Sequence, residues 1–348
     1  MVNFKNDYWM GAHPRVLNAL VDCNDLPDRG YGDDSLSRVA AELIMDKLGT
    51  HDLDIHFVMS GTQANLVAFV AMLKPWEAVI AADTAHPNVH ESGALEAAGH
   101  KIIRLETPDG KLTPAMIRKA CEQHHGEHMV VPRVVFISNA TELGTIYTLL
   151  ELRQLREECN KQELYLYLDG ARLGQALVAM GAGLTFTDLP AVCDAFYIGG
   201  TKNGTMFGEA LVLVNGKVRP HFRNIMKQRG AMLAKGKFIA AQFIELLKDD
   251  LYLELAEQAR SQAFGLATGI EQLGYKFAIV PESNQIFPIF PSLPPAIING
   301  LQQTHDFPLW DAIDSGDSLR AVARLVTSWS TKPEDVQEFL QDLEVLAR

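Results

Sequence analysis

The chain has 348 residues and a net charge of −12 at pH 7, and this length allows one large domain and a smaller second one. The acidic balance and the scattered lysines and arginines argue against a nucleic-acid surface, and no apolar run is long enough to span a bilayer. Only four cysteines occur, without a C-x-x-C pair, which fits a reducing compartment. We therefore expect a soluble cytoplasmic protein whose partners are small molecules.

The chain is predicted to have three parts. Residues 1–30 have no clear hydrophobic period over their first half and are expected to form an N-terminal arm. Residues 31–248 alternate strands and helices and are expected to form a large domain. Residues 249–348 are expected to supply a bridging helix and a smaller C-terminal domain, because their strands and helices are too few for a doubly wound sheet.

The first chemical signal is a possible anion site. Ile55 to Ser60 is typical of a strand, Gly61 and Thr62 of a tight turn, and Gln63 to Leu73 of a helix that is apolar nearly all round. Free backbone amides and the helix dipole at such a turn favour a phosphate, although Gly-Thr also begins helices for capping reasons alone. Neither G-x-G-x-x-G nor G-x-x-x-x-G-K-[ST] occurs, which counts against dinucleotides and nucleoside triphosphates.

Two histidines four residues apart, His86 and His90, follow the short predicted strand Ala78 to Asp83. This spacing suggests a metal, but Pro87 lies between the two and the H-E-x-x-H pattern is absent, so no metal site is predicted. The remaining interpretations of His86 are a structural loop residue or a ring that stacks on an aromatic cofactor.

Further strand-like runs, Lys101 to Glu106 and Arg133 to Asn139, are separated by a predicted helix near Thr113 to His124. This β-α-β alternation predicts an α/β fold with a mostly parallel sheet and helices on both faces. Glu142 follows the second run, at the carboxyl end of a predicted strand, where it is either an ordinary loop carboxylate or a site residue.

An aspartate and a lysine together suggest a cofactor. The predicted strand Leu164 to Asp169 ends in an aspartate, at the end where open α/β sheets bind ligands. Lys202 lies among small residues, directly after the apolar run Ala195 to Ile198. A partly desolvated lysine can form a Schiff base with an aldehyde, and an aspartate can hold a pyridine nitrogen protonated. Alone, Lys202 is typical of a turn between strands, and Asp169 is what favours the cofactor interpretation.

Arg324 lies in Ala321 to Trp329, which is predicted to be one strand. By the period of two it shares a face with Val322 and Val326, an expensive place for a solvated cation. The arginine therefore needs a carboxylate, and its planar fork matches either an amino acid ligand or an internal ion-pair partner.

Taken in order, a series of motifs resembles the threonine aldolase and aromatic amino acid β-eliminating lyase family: Asn6-Asp7, Tyr31 to Asp34, Ser60 to Asn65, Ala85-His86, Asp169 to Arg172, Gly200 to Lys202 and Arg324 to Trp329. The resemblance covers nearly the whole chain and points to low-specificity L-threonine aldolases, the phenylserine-aldolase branch included. It implies a fold-type-I pyridoxal 5'-phosphate enzyme with a large cofactor-binding domain and a small C-terminal α+β domain.

The resemblance implies a role for each residue of the cofactor site. Lys202 carries pyridoxal 5'-phosphate, Asp169 pairs with the pyridine nitrogen, and His86 stacks on the ring. Gly61 and Thr62 hold the phosphate.

For the substrate, the resemblance implies that Arg172, which also borders the cofactor, and Arg324 bind the carboxylate of an amino acid. Asn6 stands where many relatives have a serine near that carboxylate. Glu142 stands about where many aldolases have a second active-site histidine. We therefore expect His86, Glu142 or a water to take the proton of the β-hydroxyl group.

Enzymes of this kind are homodimers or homotetramers with active sites at subunit interfaces. The resemblance therefore implies that Tyr31 and the stretch Lys235 to Lys237 serve the site of a neighbouring subunit. Lys237 stands in place of an expected arginine.

The implied reaction is cleavage of the Cα–Cβ bond of L-3-hydroxy-α-amino acids, such as L-threonine, L-allo-threonine or phenylserine, to glycine and an aldehyde. A β-eliminating lyase or an amino acid racemase would use the same lysine and stays open as the alternative. An idle binding protein on the same fold is disfavoured because both Lys202 and Asp169 are present.

Overall fold

The computed structural model describes residues 1–291, 296–314 and 319–347. Its strands are β1 (Val2–Asn3), β2 (Asp54–Val58), β3 (Glu77–Ala82), β4 (Lys101–Leu105), β5 (Val131–Ser138), β6 (Tyr165–Asp169), β7 (Ala195–Gly199), β8 (Glu209–Leu213), β9 (Lys276–Phe277), β10 (Gln285–Ile286), β11 (Pro288–Pro291), β12 (His305–Asp306), β13 (Leu309–Asp314), β14 (Leu319–Ala323) and β15 (Leu325–Val326).

The α-helices are α1 (Pro14–Asp22), α2 (Ser35–Leu48), α3 (Gly61–Met72), α4 (His86–Val89), α5 (Ala94–Ala97), α6 (Pro114–Gln123), α7 (Leu149–Lys161), α8 (Leu173–Val178), α9 (Leu189–Val192), α10 (Phe222–Gln228), α11 (Lys237–Leu247), α12 (Leu251–Gln272), α13 (Ala296–Thr304) and α14 (Pro333–Ala347). Short 3-10 turns lie at Phe186–Asp188 and Lys248–Asp250. Among the helices described here, none has the length and apolar character needed to cross a membrane.

The central layer is a seven-stranded sheet in the order β2-β8-β7-β6-β5-β3-β4. β8 runs antiparallel to its neighbours β2 and β7, and the other neighbouring pairs are parallel. The carboxyl ends of β3, β5, β6 and β7 therefore lie along one edge, and β8 begins there, with Glu209 opposite Gly199. This edge is where an open α/β sheet binds ligands.

Helices cover the sheet because its inner strands are apolar on both faces. β3 and β7 are buried along their whole length. α3 packs against several strands, and its Ala64, Val67 and Phe69 are completely inaccessible. The predicted α/β fold with a mostly parallel sheet is confirmed.

A second core lies around α12, α13 and α14, and the antiparallel sheet β13-β14-β11-β9 contributes to it. The first residues of the chain join this part, because β1 pairs with β12 and the buried ring of Phe4 lies edge-on to Phe339 at 5.4 Å. α1, in contrast, packs against α11 in the larger core. The N-terminal residues thus contact both cores.

The prediction of one strand from Ala321 to Trp329 is wrong. β14 ends one residue before Arg324, and β15 begins one residue after it. The two strands pair with different partners, β14 with β11 and β13, and β15 with β10. Where the partner changes, the backbone N–H of Arg324 donates to the carbonyl of Pro308 at 3.0 Å. Because Arg324 lies between two strands, the alternation of side chains along a single strand does not decide on which face its side chain lies.

Candidate active site

A cavity of about 400 Å³ opens at the carboxyl edge of the central sheet. Its walls come from the ends of β5 and β6, the loop after β7 and the starts of α3 and α4. It brings together seven of the residues expected at the site: Gly61, Thr62, His86, Glu142, Asp169, Arg172 and Lys202.

Lys202 enters the cavity from the loop that follows β7. Burial and the nearby charge of Arg172 hold the pKa of Lys202 below its ordinary value, which favours the neutral, nucleophilic amine. Glu209 stabilises this loop through two hydrogen bonds. The N–H of Gly200 donates to its Oε2 at 2.8 Å, and the hydroxyl of Thr201 donates to its Oε1 at 2.7 Å. Burial raises the pKa of Glu209 to about 7.

No sequence motif identifies Glu209 as a site residue. It is simply the first residue of a strand, and only the antiparallel register with Gly199 brings it to the cavity. A strand that closely follows the lysine loop is the one signal in the sequence that could have found it.

Asp169 is buried at the end of β6. Its carboxylate accepts hydrogen bonds from the hydroxyl of Tyr197, from the backbone N–H of Ala171 at 2.9 Å and from Nδ2 of Asn65 at 3.1 Å. Three donors fix the direction of this carboxylate at the cavity wall. The arrangement suits a partner for a protonated ring nitrogen.

The first turn of α3 lies where the sequence predicts an anion site. The hydroxyl of Ser60 caps the helix by accepting the N–H of Gln63 at 3.3 Å, while the N–H groups of Gly61 and Thr62 precede any helical acceptor. A Cβ at position 61 would lie 2.7 Å from the hydroxyl of Tyr197, so the close approach requires glycine. These groups fit the phosphate of pyridoxal phosphate.

Two carboxylates hold His86. Its backbone N–H donates to Glu142 Oε1 at 2.9 Å, and its ring Nδ1 lies 2.8 Å from Glu91 Oε1. The hydroxyl of Ser138 also donates to Glu142 Oε1, at 2.8 Å. Burial and the charge of Asp169 raise the pKa of Glu142. Glu91 was not expected from the sequence, and its spacing of five residues from His86 is the only local clue.

Arg172 already contacts a carboxylate of its own chain. Its Nε and Nη2 donate to the two oxygens of Asp7 at 2.7 and 3.1 Å, and both side chains are buried. Nδ2 of Asn284 donates to Asp7 as well, at 3.0 Å. Burial opposes ionisation of Asp7, but the charges of Arg172 and Lys202 outweigh it and lower its pKa to about 2. Two nitrogens of Arg172 are thereby engaged before any substrate binds.

Arg324 has neutral partners instead. Its Nη2 donates to Gln285 Oε1 at 2.6 Å, and its guanidinium carbon lies 5.4 Å from the ring centre of Trp310. Burial and the charge of Arg172 lower the pKa of Arg324 to about 10. Among the side chains that the structure describes, which do not include those of residues 291–296 and 311–319, no carboxylate pairs with it, and its Nε is buried without an acceptor. Such a guanidinium attracts a carboxylate from outside.

Asn6, Tyr31 and Arg324 do not line the cavity. Oδ1 of Asn6 accepts the N–H of Tyr8 at 3.1 Å, and Tyr8 in turn reaches the cavity wall. Tyr31 is exposed, with Nζ of Lys227 lying 4.3 Å from its ring centre. Their expected roles at the substrate stay predictions.

One group of metal-ligand side chains occurs among the described residues, and it lies elsewhere. Donor atoms of His305, Glu338 and Asp342 lie within 4.8 Å of one another, and none of these residues borders the cavity. At the cavity, ring Nδ1 of His86 faces Glu91.

Comparison with known proteins places this chain in a family. The family model described as beta-eliminating lyase matches residues 20–290, which is most of the chain. The chain belongs to the beta-eliminating lyase family. Low specificity L-threonine aldolases of Pseudomonas aeruginosa and of Pseudomonas sp. are 32% and 31% identical to it, and both alignments cover 99% of this chain and 97% of the relative.

Solved structures agree with this assignment to the beta-eliminating lyase family. The threonine aldolase of Leishmania major superposes with a TM-score of 0.97 at 42% identity, over the whole of both chains. An aspartate aminotransferase of Thermus thermophilus superposes with a TM-score of 0.71 at 15% identity, covering 99% of this chain and 91% of that one, which shows the fold alone. The family resemblance, the fold-type-I fold and a pyridoxal phosphate-dependent carbon–carbon lyase are thereby confirmed.

Proposed function

We propose that this enzyme cleaves the Cα–Cβ bond of L-3-hydroxy-α-amino acids, such as L-threonine, L-allo-threonine or phenylserine, to glycine and an aldehyde. The observation that carries the proposal is the alignment of 99% of the chain with low specificity L-threonine aldolases. The cavity supports it, because it presents an amine, a ring-nitrogen partner and proton-transfer groups together.

Pyridoxal phosphate, when bound, supplies an aldehyde for amines and a ring that accepts an electron pair. Lys202 would hold it covalently, and Asp169 would keep its ring nitrogen protonated. Gly61 and Thr62 would bind its phosphate through their backbone N–H groups. His86 would lie against the ring.

Substrate orientation falls chiefly to Arg324. Its guanidinium is buried and has no ion-pair partner among the described side chains. It can therefore form an ion pair with the carboxylate of an amino acid. Arg172 contributes positive charge, but its Nε and Nη2 remain on Asp7. Holding the carboxylate fixes which bond at Cα is aligned for cleavage.

Cleavage needs a base for the β-hydroxyl group. The hydroxyl proton leaves, the Cβ–O bond becomes the carbonyl of the aldehyde, and the Cα–Cβ bond breaks. A proton delivered to Cα then completes glycine. His86, Glu142 or a water held by them is placed to accept the first proton, since both side chains line the cavity.

A product assay tests the proposal. The enzyme loaded with pyridoxal phosphate is incubated with L-threonine, L-allo-threonine and phenylserine in turn. Glycine and an aldehyde in equal amounts support aldol cleavage. A 2-oxo acid with ammonia, which the family name beta-eliminating lyase makes the leading alternative, or the D-isomer of the substrate would refute it.

The proposal extends to organisation and location. The parts 1–30, 31–248 and 249–348 would act as arm, cofactor domain and small domain, and the left-handed residues Asp249 and Asp250 lie at the second boundary.

A homodimer or homotetramer would cover the exposed Tyr8, Trp9 and Met10 and bring Tyr31 to a neighbouring site. The four cysteines are free thiols, as expected in the cytoplasm. Size-exclusion chromatography with light scattering tests the assembly.

A further inference from the structure

Behind the cavity wall, an unbroken row of buried polar groups connects His86 with Asp169. His86 Nδ1 lies 2.8 Å from Glu91 Oε1, and Asn65 Nδ2 lies 2.7 Å from that same oxygen and 3.1 Å from Asp169 Oδ2. Asn65 Oδ1 accepts the hydroxyl of Tyr167 at 3.1 Å. The side chain of Glu91 is only 2% exposed, so water does not replace these contacts.

The orientation of the Asn65 amide follows from its neighbours. The amide nitrogen carries two donors, whereas the amide oxygen can only accept. Turning the amide over would point its oxygen at the carboxylates of Glu91 and Asp169 and would cost both hydrogen bonds. Nδ2 therefore donates to both, and Glu91 Oε1 acts as an acceptor.

This acceptor decides which nitrogen of His86 carries the proton. Burial raises the pKa of Glu91, but an ionised Glu91, whose Oε1 accepts from Asn65, also accepts the Nδ1–H of His86 at the same oxygen. In a neutral imidazole the other nitrogen, Nε2, then holds the free electron pair. The side chain of His86 is 34% exposed and lines the cavity, so its ring is accessible from the cavity.

We propose that Glu91 is a positioning residue that keeps His86 in its Nδ1–H form, and that Nε2 takes the proton of the substrate's β-hydroxyl group. A carboxylate that orients a histidine base in this way is a general device of hydrolytic triads and metal sites. As the proton moves to Nε2, the Cβ–O bond becomes the aldehyde carbonyl and the Cα–Cβ bond breaks. The electron pair stays with the glycine fragment until a proton reaches Cα. The inference rests on the function proposed above.

Glu142 has a separate task in this arrangement. Its Oε1 is occupied by the backbone N–H of His86 and the hydroxyl of Ser138. Glu142 therefore holds the start of α4 in place, while Glu91 holds the ring. The two carboxylates position the same histidine from different sides.

The variants Glu91→Leu and Glu91→Gln separate these roles. Asn65 and His86 both contact Glu91 Oε1, so leucine removes the acceptor that fixes the ring proton on Nδ1, whereas the amide oxygen of glutamine can still accept both hydrogen bonds. We expect kcat of Glu91→Leu to fall on the order of 100-fold, with KM within about twofold and the cofactor absorbance retained, and Glu91→Gln to keep most of the activity. Glu96→Gln is the matched control, because Glu96 is an exposed glutamate of the same segment, and it should leave kcat unchanged.

A second measurement does not depend on activity. ¹⁵N NMR of histidine-labelled protein, with the His86 signals assigned by His86→Asn, reports the tautomer with and without pyridoxal phosphate. We expect Nδ1–H in the wild type and in Glu91→Gln, and loss of this preference in Glu91→Leu. An Nε2–H ring in the wild type overturns the inference even if the variant fails to fold.

The outcomes distinguish this inference from the proposed function. If no β-hydroxy amino acid is cleaved, the function fails, while the tautomer measurement still decides whether Glu91 orients His86. If cleavage occurs and Glu91→Leu keeps kcat within twofold of the wild type, the inference is wrong. A loss of about 100-fold in Glu142→Gln alone would make Glu142 the base instead, since the amide oxygen of that variant still accepts both hydrogen bonds.

Discussion

Asp7 and Arg172 form a bidentate, buried ion pair in which Arg172 Nε and Nη2 lie 2.7 and 3.1 Å from the two carboxylate oxygens. The pair links the start of the chain to the wall of the cavity, and it gives Arg172 a permanent internal partner. Arg324 bonds a neutral amide oxygen, that of Gln285. The two arginines therefore differ in their internal partners, and this difference is the basis for proposing Arg324 as the residue that binds a substrate carboxylate.

We expect Arg324→Lys to weaken the binding of glycine by about tenfold or more, because lysine keeps the charge but lacks the planar fork. The absorbance of bound cofactor without glycine should not change. Titration with glycine, followed by the change in cofactor absorbance, measures the effect. Arg320→Lys, at an exposed position of β14, is the control. Equal glycine affinity in wild type and Arg324→Lys would make Arg324 a structural residue and leave Arg172 as the remaining candidate.

The Asp7–Arg172 pair should make the folded state acid-sensitive. The folded-state pKa of Asp7 is about 2 against an ordinary value of 3.8, so its stabilisation is complete above the ordinary value and is lost as the pH falls to about 2. Asp7→Asn leaves a buried arginine without its carboxylate, and we expect the free energy of unfolding at pH 7 to fall by about 3 kcal/mol.

Urea unfolding of wild type and Asp7→Asn, measured from pH 7 downward, checks this expectation. The difference between the two proteins should shrink below about pH 4, where the Asp7 carboxylate protonates in the unfolded wild type while that of the folded state, with a pKa of about 2, stays ionised. Asp22→Asn changes an exposed aspartate at the end of α1 and should have little effect. A difference that stays constant down to pH 3 would contradict the ion-pair explanation.

Lys202 should carry the cofactor covalently. Borohydride reduction of the loaded enzyme, followed by peptide mapping, is expected to find the pyridoxyl group on Lys202, because it is the lysine that lines the cavity and burial lowers its pKa. Lys202→Ala should lose the reducible bond, whereas Lys217→Ala, at an exposed position, should keep it. A pyridoxyl group on any other lysine would refute the assignment.

Ionisation of Glu209 should lower the stability of the cofactor-free protein as the pH rises. Burial raises its folded-state pKa from 4.5 to about 7, so the folded state holds this proton longer than the unfolded state, and stability falls as the pH rises between these values. Gln at this position imitates the protonated form: its oxygen can accept from Gly200 and its NH₂ can donate to the hydroxyl of Thr201. We therefore expect Glu209→Gln to be more stable than wild type at pH 8, on the order of 3 kcal/mol.

Thermal or urea unfolding at pH 5 and pH 8 tests the role of Glu209. The advantage of Glu209→Gln should be small at pH 5 and large at pH 8. Glu271→Gln, an exposed change at the end of α12, serves as the control and should show no such dependence. An advantage that is equal at both pH values would show that ionisation of Glu209 is not its cause.

Sequence patterns predicted the parts of the site that lie next to a strand or helix end. Asp169 ends a strand, Lys202 follows one, and Gly61 with Thr62 begins a helix. The carboxyl ends of parallel strands meet at one edge, so a pattern of strand ends is enough to bring such residues together. The β-α-β alternation predicted the sheet that does so.

The same patterns did not reveal contacts made across the sheet. Glu209 reaches the site through an antiparallel register, and Arg324 lies between two strands that the period of two merged into one. Periodicity describes one segment at a time, whereas the partner of a strand is chosen by packing with distant segments.

By itself, the sequence determined the fold class and the family and predicted Lys202 as the cofactor lysine, because hydrophobic period, strand ends and ordered motifs are properties of neighbouring residues. Only the tertiary structure decided which charges are paired. Arg172 is matched by Asp7, 165 positions away. An ion pair depends on the distance and burial of two side chains, and neither quantity exists until the chain has folded.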